Sequence, residues 1–240
     1  MSSIVRVLLP LLLLGCVGRP NLTEIDKARL IKAKRSEAMD VLTKFKAGRE
    51  RDLDLLERYV KLQQETTEIA PSTCPRCWAA FGEALSMLGW YYYEIYGDVL
   101  EEAETAPPAQ KAKLLAEARS YKAEWQKYFT ISNQAYETHF RSRDVPSVHP
   151  YAYERVMRHC EIMENYERAL YYLEKYIDSY PIFYGQLEEP NRQKLEKLRR
   201  LYKEELQRQK ERGLGSREKE PPLRRPALRA PPPAPVEEEE

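Results

Sequence analysis

Four cysteines stand among the 240 residues, and two of them make the sharpest local pattern, Cys74-Pro75-Arg76-Cys77. Thiols at this spacing have three chemical uses. They can stay as thiols or close a disulfide that staples a turn between two helices. They can supply half of a zinc site, which needs two further ligands. They can also exchange electrons, with Cys74 exposed at a helix N-terminus whose dipole lowers a thiol pKa. His159 and Cys160 are adjacent, so on a helix they point apart and make a poor second half for zinc. No strand–helix–strand pattern surrounds the motif to suggest a redox fold, and Trp78 stands where a haem attachment motif needs His. The disulfide or free-thiol reading is preferred.

The remaining reactive residue types offer less. His139, His149 and His159 are the only histidines, and their ten-residue spacing does not bring them onto one helical face. They read as surface or packing residues. No Gly-rich phosphate loop, nucleophile elbow or His-Glu-x-x-His occurs. Carboxylates are abundant, but no pair is set apart from the solvated helix faces. No enzyme activity, metal or cofactor is expected. A net charge of +1 provides no field that would gather nucleic acid.

The elements that position these residues read as helices throughout. Nine glycines against 17 tyrosines, with many Leu, Ala, Glu, Lys and Arg, favour an all-α fold. Residues 22–69 contain no Pro and one Gly, with an apolar stripe through Ile31, Ala38, Val41 and Leu42 that resumes at Leu53, Leu56 and Tyr59. That predicts one long helix, roughly 70 Å if continuous, or two joined near Gly48. The prolines at 71 and 75 break it, and Ser72 or Thr73 is placed to cap a helix over about 77–104. After Pro107-Pro108, the series Leu114, Ala118, Tyr121, Trp125, Tyr128, Ser132 and Tyr136 marks the clearest amphipathic helix. A helix pair is expected over 151–181, turning at Asn165, and a charged helix over about 191–212.

Within that pair Tyr166, Ala169, Leu173 and Tyr176 recur at steps of three or four, and Pro181 closes the pattern. This resembles the second helix of a tetratricopeptide (TPR) repeat. Leu85, Leu88, Gly89 and Tyr92 resemble, more weakly, the first-helix signature of the same family. Gly89 is expected to mark a close helix crossing. The resemblance implies a solenoid of helical hairpins, with the charged last helix as a polar cap. Adjacent tyrosines cannot all face inward, because successive helical residues lie about 100° apart. Tyr91, Tyr93 and Tyr171 are therefore candidates for a partner-binding groove.

At the N-terminus, Arg6 precedes an apolar run, residues 7–14, too short to span a bilayer of roughly 30 Å. It ends in Leu13-Leu14-Gly15-Cys16, which resembles the lipobox of bacterial lipoproteins. That resemblance implies a signal peptide over 1–15 and an acylated Cys16 as membrane anchor. Val17, not Asp, follows it, which by the same resemblance favours the outer membrane. An ordinary secretory signal, with Asn21-Leu22-Thr23 as a glycosylation site, is the alternative.

Residues 16–70 then form the anchored N-terminal helical part, residues 71–212 the TPR-like domain, and the Pro-, Arg- and Glu-rich residues 213–240 a disordered tail. The combination is similar to envelope TPR lipoproteins serving outer-membrane assembly, pilus biogenesis or cell-wall enzymes. It implies an anchored adaptor for envelope proteins. A structural stalk built on residues 22–69 and a thiol or zinc protein using Cys74 and Cys77 are the alternatives.

Overall fold

A computed structural model describes residues 22–48, 52–72, 74–141, 148–186 and 188–212. Cys16, the rest of the expected signal and the expected tail lie outside the described residues. Among the described residues the fold is all-helical, with no strand: α1 Glu24–Ala47, α2 Leu53–Ile69, α3 Pro75–Thr105, α4 Pro108–Phe140, α5 Pro150–Ile162, α6 Tyr166–Tyr184 and α7 Glu189–Glu211. Each helix packs on the next in chain order, most extensively α3 on α4.

The single long helix over 22–69 gives way to a hairpin. Gly48 terminates α1, and the Asp52 carboxylate starts α2 by accepting from the Leu55 amide at 3.1 Å. Lys34–Glu65 at 2.8 Å and Arg58–Glu37 at 2.9 Å cross the pair with opposite chain directions. Ala38, Val41 and Leu42 are thereby buried in one cluster with Leu56, Tyr59 and Leu62. Burial of each large apolar side chain contributes about 1.5–3 kcal/mol, which a lone extended helix would forgo.

That first core cluster continues into α3 and α4 through Leu85, Leu88, Tyr92, Trp125, Tyr128 and Phe129. Gly89 lies at the crossing of the two helices: a Cβ added there would stand 2.5 Å from Phe129 Cδ1. Only a hydrogen at this position lets the Phe129 ring approach α3 this closely. The second cluster spans α4 to α7 and holds Tyr136, Val156, Met157, Ala169, Tyr172, Leu173 and Tyr202.

Three local expectations need correction. The cap of α3 is Cys74, not Ser72 or Thr73, and its side chain makes no capping hydrogen bond. Pro181 does not stop α6. The helix carries it internally and ends a turn later at Gly185, whose φ of 75° breaks the helix and whose N–H donates to the Pro181 carbonyl at 3.1 Å. Proline's missing N–H removes one helical hydrogen bond there, and the helix nevertheless continues for three more residues. The buried face of α6 also centres on Ala169, Tyr172 and Leu173, while Tyr176 is only half-buried and rests against Tyr180. In α7 it is Tyr202 that enters the core, fully buried, with Leu201 left exposed.

Candidate functional site

Pro75 occupies the first position of α3, where its missing N–H forfeits nothing. That places Cys74 at the cap and Cys77 one residue short of completing the first turn. The two are joined by a disulfide with Cα atoms 5.3 Å apart. Cys77 is fully buried and Cys74 partly exposed. Four hydrogen bonds hold the surrounding turn: Cys74 N–H to the Ala70 carbonyl at 3.2 Å, Cys77 N–H to the Cys74 carbonyl at 3.0 Å, Trp78 Nε1–H to the Pro71 carbonyl at 3.0 Å, and His139 Nδ1–H to the Pro75 carbonyl at 3.0 Å. A carbonyl only accepts, so His139 carries its proton on Nδ1. Burial holds the His139 pKa below its usual value, against the lift from its Pro75 bond, and the neighbouring Arg76 charge lowers it further. Among the described residues, no three His, Cys, Asp or Glu side chains converge as metal ligands would.

A second constellation was invisible to spacing arguments. His159 on α5 accepts the Ser86 hydroxyl at Nε2, 2.8 Å, and donates Nδ1–H to Asn133 Oδ1, also 2.8 Å. Nucleophile, base and orienting amide are thus aligned as in hydrolase triads. Access decides against that chemistry. Ser86 is 1%, His159 0% and Asn133 3% exposed, so no reacting carbon can approach the hydroxyl. Phe129 covers the imidazole at 4.2 Å, nearly parallel. The trio is a hydrogen-bonded tie between α3, α4 and α5 inside an apolar core, and desolvation there drives the His159 pKa down to about 3.

Two carboxylates make comparable ties nearer the surface. Glu83 of α3 accepts from Tyr136 of α4 and Tyr151 of α5, each at 2.7 Å, and from Arg155 at 3.2 Å. Glu137 of α4 accepts from Tyr172 at 2.7 Å and pairs with Arg168, both on α6. Burial, reinforced by the Glu83 carboxylate, pushes the Tyr151 hydroxyl pKa up to about 12, so it stays a donor at any physiological pH. These tyrosines position helices.

The residues marked out as a groove do not converge. Tyr93 sets its edge on Trp90 and Trp125, Tyr91 packs on Tyr92, and both border the first core cluster. Tyr171 lies on α6, 57% exposed. Among the described residues a groove runs instead between α6 and α7, about 420 Å³ in volume, lined by Ile177, Pro181, Leu195, Arg192, Glu196 and Arg199. Just beyond Pro181, Ile182, Phe183 and Tyr184 are exposed. Of the repeat-packing residues, Leu85, Leu88, Gly89, Tyr92, Ala169 and Leu173 are buried, and Tyr166 is partly so.

No helix among the described residues is long and apolar enough to cross a membrane. Comparison with protein-family models, curated proteins and solved structures finds no match to this chain. The described residues define an all-helical protein.

Proposed function

We propose that this chain is a membrane-anchored TPR-like adaptor that binds protein partners in the bacterial cell envelope. The observation that carries the reading is the chain-order packing of α1–α2, α3–α4 and α5–α6, with α7 laid on the last pair. Stacked hairpins are the arrangement in which repeats bury their apolar faces on one another and leave an extended surface for partners. The polar outer side of α7 suits a terminal cap. The exposed Ile182, Phe183 and Tyr184 at the end of α6 suit a contact surface, since aromatic side chains are prominent among the residues that carry interface energy, and Tyr171, more than three turns earlier on α6, is a separate exposed ring. The lipobox-like sequence ending at Cys16 supports the anchor, and outer-membrane assembly, pilus or cell-wall machinery is the setting it suggests.

Crosslinked pull-down from envelopes tests the binding surface. Tyr171→Ala combined with Tyr184→Ala should reduce capture at least several-fold while helicity is unchanged. Equal capture by the variant rejects this surface. A mass spectrum of the mature protein tests the anchor: an unlipidated N-terminus other than Cys16 removes it.

A further inference from the structure

We propose that Cys74–Cys77 is an exchangeable redox pair, with Cys74 as the sulfur that partner thiols attack, an activity independent of the adaptor reading. Two structural facts separate it from a staple. The bridge closes a loop of only three residue steps, so it removes less chain entropy from the unfolded state than a longer loop would. The turn it spans is already held by the Ala70, Pro71 and Pro75 carbonyls, each of which accepts a hydrogen bond. The covalent link is therefore one of several ties on this turn rather than the only one.

What the position does favour is the reduced form. Cys74 is the cap of a 31-residue helix and its side chain makes no capping bond while it is tied to Cys77. Released as a thiolate, Cys74 Sγ sits where the usual capping oxygen would, facing the positive dipole end of the first turn. Arg76, exposed between the two cysteines, adds a full positive charge. Both effects lower the Cys74 thiol pKa and make it a good leaving group and a stable product. The burial asymmetry sets the order of events: Cys74 is reachable, Cys77 is sealed at 0% exposure.

The reaction balances with thiols alone. An external thiolate attacks Cys74 Sγ, the Cys74–Cys77 bond breaks, and Cys77 leaves as a thiolate that takes up a proton. The mixed disulfide at Cys74 is then attacked on the external sulfur by a second thiolate, which releases Cys74. Two thiols are oxidised to one disulfide, and the protein disulfide is reduced by the same two electrons. The substrate class is a protein dithiol or a small thiol that reaches the start of α3.

Glutathione is the probe. The full chain is equilibrated with graded ratios of reduced to oxidised glutathione, quenched with acid, alkylated and weighed. The expected result is a reversible shift of Cys74 and Cys77 together between disulfide and dithiol. Helicity should be retained in the dithiol form, and Cys74 alkylation should titrate at least one pH unit below an ordinary thiol. The Cys77→Ser variant should accumulate a glutathione adduct on Cys74, and Cys74→Ser should form at least tenfold less on Cys77. A disulfide that survives a thousandfold excess of reduced glutathione overturns the proposal. So does loss of helicity on reduction, or an ordinary Cys74 titration.

Discussion

Lowering the pH should destabilise this protein through one buried imidazole. In the fold His159 is neutral, fully buried, with both ring nitrogens engaged and a pKa near 3; unfolded it returns to about 6.5. Between those values the unfolded chain binds a proton that the folded chain refuses, so stability falls as pH falls. It is fully present above about 6.5. At about 1.4 kcal/mol per pKa unit, the full loss approaches about 5 kcal/mol, and by pH 4.5 it is about 3 kcal/mol. A marginally stable domain has only about 5–15 kcal/mol in all. His139, also depressed by burial, acts in the same direction. Comparison with His159→Gln isolates the one group, because His139 and the carboxylates are common to both proteins. Urea unfolding at pH 7.0 and 4.5 is the assay. The wild type should lose about 2–3 kcal/mol more than the variant over that interval, whatever the variant has lost at pH 7.0. Equal losses would refute the reasoning, because His159 would then protonate in place without penalty.

Two core substitutions test the packing. Gly89→Ala sets about 1 kcal/mol of better helix propensity against a contact of 2.5 Å on Phe129. That ring is wedged between Trp90, Trp125 and His159 and cannot swing away. A net loss of about 1–2 kcal/mol is expected in urea unfolding, and a gain in stability contradicts the crossing geometry. Ala169→Leu adds three carbons at a position with no exposure. It should lower stability by about 1–3 kcal/mol, and an unchanged midpoint would mean that Ala169 does not face a packed neighbour.

Much of this was legible in the residues. The helical periodicity of the stretch through Trp125, Tyr128, Ser132 and Tyr136 became α4, with those four buried. Gly89 announced a close approach because a helix tolerates an interior glycine mainly where something presses on it, and Phe129 does. Gly48 marked the hairpin, since breaking the helix there let two apolar stripes meet. What failed was local reasoning applied too rigidly. Pro181 reads as a terminator, yet the helix carries it internally and ends only at Gly185, where φ turns positive. Tyr172 displaced Tyr176 on the buried face because Glu137, 35 residues away on α4, accepts its hydroxyl. The same distance in sequence hid the His159 tie, whose partners lie 26 and 73 residues off. A histidine's neighbours in space leave no mark in its neighbours along the chain. The α6–α7 groove was equally hidden, because its lining depends on where α6 ends.

The most direct test of the adaptor account is site-specific photocrosslinking in intact cells, from a photoreactive residue placed at Tyr171 or Tyr184 and, as control, at the exposed Lys32 of α1. The account predicts discrete protein adducts in the membrane fraction from positions 171 and 184 that are absent from position 32. No adduct from either α6 position, or the same adducts from all three, would contradict it.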